Sequence, residues 1–137
     1  MWRYLCLLPL LAAAPALADT AALRCGAVEQ VGEAGSGLSQ QVCRYSGSSL
    51  QAAYRAYLQH ERTASERMSQ ADQFPASLPT RNTRRKVSEH VAYRVEWPSR
   101  SRVRVVLSDK GDLPGADRLE LRRRGKAVEI TRTYEAP

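Results

Sequence analysis

The chain has 137 residues, with 21 Lys and Arg against 14 Asp and Glu, a formal charge of +7 and 43% hydrophobic residues. This length allows one domain with one core, which excludes a protein built from separate cofactor and substrate domains. The chain is too apolar to be disordered throughout and too polar to be an integral membrane bundle. Because 18 of its basic residues are Arg, which binds carboxylate and phosphate groups in bidentate fashion, the composition predicts an anionic partner.

The first eighteen residues, MWRYLCLLPLLAAAPALA, have the pattern of an export signal. Arg3 precedes an apolar run, and Ala16 and Ala18 are the small residues that signal peptidase accepts before its cut. The run is shorter than the roughly 20 residues that a membrane-spanning helix needs. It does not end in a small residue followed by Cys, so no lipid anchor is predicted. We therefore expect cleavage after Ala18 and a single small exported domain, residues 19–137, that is periplasmic or secreted.

Removal of this leader takes Cys6 away and leaves Cys25 and Cys43, an even number in an oxidising compartment. The two cysteines flank the turn-rich stretch Gly32–Gly37 at nearly equal distances, as a cross-strand bond requires. No further ligands lie nearby for zinc, and the spacing is not the C-x-x-C of a redox pair. The pattern predicts a structural disulfide that staples a β-hairpin over Ala21–Ser46.

A helix is predicted over Ser48–Gln73. Ser48 with Gln51 fits the capping-box pattern, and the apolar residues that follow recur at steps of three and four. Two prolines, Pro75 and Pro79, end the pattern, and its last turns are weakly apolar enough to form a separate short helix.

A polar linker, Ala76–Lys86, follows the helix and carries a basic cluster of Arg81, Arg84, Arg85 and Lys86. Two interpretations stay open for this cluster. It is either a solvated mobile loop or a loop that docks onto an anion and becomes ordered when it binds.

The C-terminal part alternates apolar and polar residues with the period of a strand. Pairing Trp97 with Val103 opposes the apolar residues of two strands, and a tight turn at Arg124–Gly125 opposes Leu119 and Leu121 to Ile130 and Val128. The sequence thus predicts an α+β fold made of a disulfide-stapled N-terminal hairpin, one amphipathic helix and a C-terminal four-stranded antiparallel meander.

The polar face of this meander is the first candidate binding surface. Under the predicted register Arg94, Arg102, Arg104 and Arg122 point away from the core, interspersed with Glu96, Glu120 and Glu129. Four arginines on neighbouring strands would hold phosphate or carboxylate groups. The alternative is a solvated sheet face on which Arg and Glu pair weakly across strands. With the linker cluster, these arginines form the predicted basic surface.

No pattern of catalytic or ligand-binding residues accompanies this surface. The sequence has no nucleophile elbow, phosphate-binding loop, zinc-protease motif or dinucleotide fingerprint, and the aspartates near Gly111 lack the alternation of a calcium loop. We therefore expect no enzymatic activity, no cofactor and no metal site. Nucleic acid is disfavoured as a partner because the predicted outer face has no aromatic residues on which bases could stack.

These features predict a non-enzymatic periplasmic accessory or binding protein that assists assembly of a bacterial envelope or secretion complex through its Arg-rich surface. Two alternatives remain open. One is a periplasmic inhibitor or immunity protein that blocks an enzyme acting in the envelope, and the other is a lipid- or polysaccharide-binding module. The partner would be an acidic protein or an anionic envelope component, with room for peripheral membrane association but no transmembrane segment.

Overall fold

A computed structural model describes residues 22–33, 35, 37–64, 70–109 and 117–135. The predicted leader with its cleavage site, the end of the predicted helix at 65–69 and the loop at 110–116 lie outside these residues. The strands are β1 Leu23–Cys25, β2 Glu29–Gln30, β3 Leu38–Tyr45, β4 Thr83–Lys86, β5 Val91–Ser99, β6 Arg102–Asp109, β7 Asp117–Arg124 and β8 Ala127–Glu135. One α-helix, α1, spans Leu50–Ala64, and a short 3-10 helix spans Gln70–Gln73.

The eight strands of the described residues belong to one antiparallel sheet in the order β1-β3-β8-β7-β6-β5-β4, and β2 pairs with β3 beside β1. The predicted α+β fold is confirmed, with its stapled hairpin, its helix and its C-terminal meander β5–β8. The structure adds how the two halves join. β3 pairs along its whole length with β8, from Leu38 opposite Glu135 to Tyr45 opposite Val128. The hairpin and the meander are therefore parts of one continuous sheet.

The N-terminal hairpin carries the predicted disulfide, Cys25–Cys43. The Gly26 N–H donates to the Val42 carbonyl at 2.9 Å, which makes the adjacent pair, Cys25 opposite Cys43, the close non-hydrogen-bonded kind. Cys43 is 1% exposed and lies in the core, so the bond ties the short strand β1 to the buried side of β3.

Helix α1 covers one face of the sheet. It begins two residues later than predicted, because Ser49, and not Ser48, accepts the Ala52 N–H at 3.1 Å. Its buried face is formed by Tyr54, Tyr57 and Leu58, and these side chains are at most 2% exposed. Burial raises the pKa of the Tyr54 and Tyr57 hydroxyls above the ordinary value, which keeps both neutral hydrogen-bonding groups. Both tyrosines lie at helical spacing in the sequence, and both are core residues.

The predicted polar linker is wrong as a loop. Leu78 is buried, its carbonyl accepts a hydrogen bond from the Gln51 side chain at 2.7 Å, and the Pro79 carbonyl accepts one from the Trp97 ring N–H at 2.9 Å. The end of the linker, Thr83–Lys86, then forms β4 and pairs with β5. The hydrogen bonds of Leu78 and Pro79 hold the linker before Asn82, and the pairing with β5 holds it after Asn82. The linker therefore ends as a strand at the edge of the sheet.

The registers within the meander also correct two predicted pairings. Val95 faces Val105 and Tyr93 faces Leu107 as predicted, but a bulge between Glu96 and Ser99 prevents the Trp97–Val103 pair. The last hairpin turns at Gly125–Lys126, one residue later than predicted, because Gly125 adopts φ 62° at the first turn position. Leu121 therefore faces Ile130, and the change leaves every side chain on its predicted face.

The start of β5 is a further correction. The alternation of apolar residues at odd positions extends back to Val87 and favours a strand with this side chain in the core, but β5 begins at Val91. Val87 lies in the turn between β4 and β5 and is 42% exposed.

A buried ion pair joins α1 to the centre of the sheet. Arg132 on β8 donates from Nε and Nη2 to the Asp117 carboxylate at 2.6 and 2.9 Å, and from Nη1 to the Tyr57 hydroxyl at 3.2 Å. Its guanidinium also lies 4.9 Å from the ring centre of Phe74. Burial raises the pKa of Asp117, and the contact with Arg132 only partly offsets this. For Arg132 burial favours the neutral form, but the attraction of Asp117 outweighs it and the pKa is raised.

We expect that Arg132→Met lowers the free energy of unfolding by about 3–5 kcal/mol, because it leaves the Asp117 carboxylate buried without a partner. Urea denaturation measures the change. The double variant Asp117→Leu/Arg132→Met removes both charges and should recover most of the loss. Equal losses in the single and double variants would contradict this account.

Replacing both cysteines, Cys25→Ala/Cys43→Ala, should lower the free energy of unfolding by about 3 kcal/mol, since the open loop gains entropy in the unfolded chain. Urea denaturation measures this change, and the same experiment on the oxidised and the reduced wild-type protein shows the effect of the bond without a substitution. An unchanged unfolding midpoint after reduction would show that the bond does not hold β1 in place.

Candidate functional site: the arginine face of the sheet

The face of the sheet turned away from α1 carries the candidate site. Alternation along each strand places the core residues on the helix side and the residues between them on this face. We call it the arginine face. Its basic residues come from all strands except β2 and β8 and are Arg24, Arg44, Arg84, Lys86, Arg94, Arg102, Arg104, Arg118, Arg122 and Arg124.

This face holds five of the six excess positive charges of the predicted mature chain. Its ten basic residues stand against five acidic ones, Glu29, Glu96, Glu120, Glu129 and Glu135. The rest of the predicted mature chain, residues 19–137, has ten basic and nine acidic residues. The positive potential is therefore concentrated on one side, where it attracts anions most strongly.

Three pairs of arginines on this face lie directly opposite each other on neighbouring strands. The register places Arg24 against Arg44, Arg84 against Arg94, and Arg102 against Arg122. Like charges at opposed positions destabilise a sheet, and their Cβ atoms are close enough for both guanidinium groups to contact one anion. An arrangement that costs stability and assembles anion ligands is typical of a binding surface.

Glutamates neutralise part of the arginine face. Arg94 contacts Glu96 at 2.6 Å, and Arg104 lies between Glu96 at 3.5 Å and Glu120 at 3.4 Å. Arg102 reaches the Glu120 carboxylate at 3.0 Å. Burial favours the neutral form of Glu120, but its hydrogen bonds to Arg102 and Arg104 outweigh this effect and hold its pKa below the ordinary value. These arginines are fixed in orientation by the network and carry little free charge.

Five other arginines of this face have no carboxylate of the described residues within ion-pair distance, namely Arg24, Arg44, Arg84, Arg118 and Arg122. All five are exposed. Arg118 and Arg122 lie on the middle strand β7, beside the neutralised arginines of β5 and β6, and the other three lie on β1, β3 and β4 toward the two edges of the sheet.

The sequence prediction found part of this surface. Arg94, Arg102, Arg104 and Arg122 do lie together on the outer face, but the first three are the neutralised ones. Arg118 was missed, although it shares the alternation of Glu120 and Arg122. Arg24 and Arg44 were missed because their place on this face depends on the pairing of β3 with β8, between residues that are far apart in the sequence.

The predicted basic cluster of the linker is divided by the structure. Arg84 and Lys86 lie on the arginine face, opposite Arg94 and Ala92 of β5. Arg85 lies between them in the strand, so its side chain is on the helix side. Arg81 precedes β4 and is exposed, with its carbonyl accepting a hydrogen bond from the Thr83 hydroxyl. The cluster therefore contributes two of its four members to the face.

Two depressions open at opposite corners of the arginine face. One, of about 530 Å³, lies at the β4–β5 corner and is lined by Arg84, Arg85, Lys86, Ser88, Glu89, His90, Val91, Ala92 and Ser108. The other, of about 310 Å³, lies at the β3–β8 end and is lined by Val42, Cys43, Arg44, Arg124, Ala127 and Glu129. Both are cationic and shallow enough to face solvent, which suits charged groups of a large partner.

Within the described ranges, no three His, Cys, Asp or Glu side chains come close enough to hold a metal ion. In the same part of the chain no helix is long and apolar enough to cross a membrane. Comparison with protein-family models, with curated proteins and with solved structures finds no match. The arginine face itself is therefore the guide to function.

We expect that Arg24→Thr raises the free energy of unfolding by a few tenths of a kcal/mol, because it relieves the repulsion by Arg44 on the neighbouring strand. Thermal or urea unfolding at low ionic strength measures the gain. The gain should shrink as salt screens the pair. A loss of stability at every salt concentration would contradict the assignment of Arg24 and Arg44 as a repelling pair.

Proposed function

We propose that this protein is a non-enzymatic, exported binding protein that holds an acidic partner against its arginine face, as an accessory component in the assembly of a bacterial envelope or secretion complex. The observation that carries the proposal is the set of three opposed arginine pairs. Glu96 and Glu120 neutralise one arginine in each of two pairs, whereas Arg24 and Arg44 repel each other without such a partner, and an anionic partner would relieve that repulsion on binding.

The arginine face contains both ion-paired arginines and arginines without a carboxylate partner, and this mixture favours a protein as the partner. The network of Arg94, Arg102 and Arg104 with Glu96 and Glu120 holds acidic groups at set positions within the basic surface. A partner with a fixed pattern of charges can match such a surface and gain specificity from it, whereas a fluid lipid surface would meet the glutamates as repulsion.

Sugar binding has less support from the residues of this face. None of its side chains in the described strands is aromatic, so a polysaccharide would find no ring to pack against. The apolar side chains of the face include Val42, which is exposed, and Val106, which is buried between the arginines, and neither is an aromatic ring. Hydrogen bonds and charge are therefore what the face offers, and both suit carboxylates.

Export of the protein is supported by two features. The N-terminal residues have the pattern of a cleaved signal, and Cys25 and Cys43 form a disulfide that an oxidising compartment would preserve. The periplasmic site of action is part of the same proposal.

The first test measures binding to poly-L-glutamate by calorimetry at low and raised salt. We expect Arg118→Gln/Arg122→Gln to weaken binding about tenfold, since each free arginine loses a charge-assisted contact. The matched control is Arg55→Gln/Arg62→Gln, which removes the same charge from exposed positions of α1. Equal weakening by both double variants would show that net charge alone attracts the anion, and would overturn the proposal.

A second measurement separates the alternatives in the native cell. A photo-crosslinking amino acid at Val42 on the arginine face should capture the partner, and the same group at Gln59 on the exposed side of α1 should not. Capture of an assembly component supports the accessory function. Capture of an enzyme that loses activity on binding would instead establish an inhibitor, and equal capture at both positions would contradict a role for this face.

A further inference from the structure

The edge of the sheet at β4 is open. In the described part of the chain β4 has one neighbouring strand, β5, and it is the last strand in the sheet order. Its three consecutive residues Arg84, Arg85 and Lys86 are exposed, and none has a described carboxylate within ion-pair distance. An open edge presents backbone groups to which a further strand can pair.

The backbone groups that face outward belong to Arg84 and Lys86. The Val87 N–H donates to the Val91 carbonyl at 2.8 Å, so residue 87 turns its N–H toward β5. Because this direction alternates along an antiparallel strand, Arg85 also bonds toward β5, while Arg84 and Lys86 turn their N–H and C=O groups to the open side. On β5, the Ala92 carbonyl accepts from the Ser108 hydroxyl on β6, which agrees with this alternation.

The same two residues turn their side chains onto the arginine face, beside the depression of about 530 Å³ at the β4–β5 corner. A strand added at this edge would place its residues opposite Arg84 and Lys86 on the arginine face too. Acidic residues at alternate positions would then lie beside both cations. The residue between them would lie on the other side, near Arg85.

The charge of this edge also selects its occupant. A second copy of β4 paired antiparallel with the first would oppose Arg and Lys to Arg and Lys, which repel. An extended acidic segment meets no such repulsion. The edge thus rejects the commonest wrong partner of an open strand while it stays accessible to an acidic one.

We infer that the open edge of β4 takes up an extended segment of the protein partner, with acidic residues at alternate positions, as an added antiparallel strand. This inference rests on the proposed function and specifies how the partner is held. Backbone hydrogen bonds to Arg84 and Lys86 would give affinity, and the two cationic side chains would select the alternating acids.

The decisive probe is an acetylated and amidated peptide, Glu-Val-Glu-Val-Glu, in two methylated forms. In the bound register the Glu N–H groups face β4 and the Val N–H groups face solvent. We expect methylation of the Glu nitrogens to weaken binding about tenfold relative to methylation of the Val nitrogens, because only the former removes hydrogen bonds. Both forms have the same charge.

Two protein variants test the same hydrogen bonds by changes in β4 instead of in the peptide. Arg84→Gln removes the charge at the edge, and Arg84→Pro removes the charge and the outward N–H together. Proline is tolerated at an edge position whose N–H faces outward, so β4 should keep its pairing with β5. The Pro variant should bind the unmethylated peptide several-fold more weakly than the Gln variant does. Hydrogen exchange at Arg85, bonded toward β5, reports whether the strand is intact.

Hydrogen exchange on the wild-type protein gives a third readout. In the free protein the Arg84 and Lys86 amides should exchange rapidly, and the peptide should protect both. Binding without this protection, or equal binding of the two methylated peptides, would overturn the inference. So would concentration-dependent protection without peptide, which would mean that a second copy occupies the edge. Absence of any peptide binding would overturn it too.

These outcomes are distinct from failure of the proposed function. Poly-L-glutamate binding that depends on Arg118 and Arg122 would leave the arginine face as a binding surface even if β4 takes up no strand. Loss of the β4 inference alone would mean that the partner is held by side chains.

Discussion

The buried ion pair of Arg132 with Asp117 is the interaction on which the arrangement of this molecule depends. It lies on the helix side of β7 and β8 and takes the Tyr57 hydroxyl of α1 as a further partner. An ion pair in the core is tolerated when its groups are hydrogen-bonded, and the Tyr57 hydroxyl of α1 supplies one of the hydrogen-bond partners of this one. The hydrogen bond from Arg132 to Tyr57 therefore fixes α1 against one face of the sheet. No helix of the described residues covers the opposite face, and most of the excess Arg residues of the sequence lie there.

Repulsion on the arginine face lowers the stability of the sheet, and other interactions in the molecule offset this loss. Three opposed arginine pairs weaken the free sheet, while Glu96 and Glu120 relieve that repulsion at its centre and the Cys25–Cys43 bond holds the edge where Arg24 faces Arg44. A surface of this kind needs a rigid support, because flexible arginines would move apart and bind each anion separately. The Glu120 network supplies that rigidity, and its carboxylate has a depressed pKa because both neighbouring arginines hold it ionised.

Local patterns in the sequence predict the N-terminal hairpin, the helix and the meander, together with the face of each residue in the meander strands. Alternation in a strand has a period of two, which a one-residue change of turn does not disturb. The same alternation in β7 and β8 places Asp117 and Arg132 on the core side, against the general tendency of charged residues to lie outside. The bulge after Glu96 and the change of β4 from loop to strand had no local signal. Both depend on Trp97 and Leu78, whose hydrogen bonds reach back to the linker and to α1. The pairing of β3 with β8, and with it the extent of the arginine face, is a contact between distant parts of the chain.

That pairing also determines when the protein can finish folding. Gln40 on β3 meets Thr133 on β8 across 93 positions of sequence, so the hairpin and the helix, made first, wait for the last strand to be synthesised before their sheet is complete. Until then Cys43 and the apolar side of α1 have no β8 to cover them, and long-range contacts of this kind form slowly. A chain that is held unfolded until its C-terminus is available would avoid this exposed intermediate. The proposed export would meet that need, because a chain that crosses a membrane channel as an extended polypeptide begins to fold only on the far side.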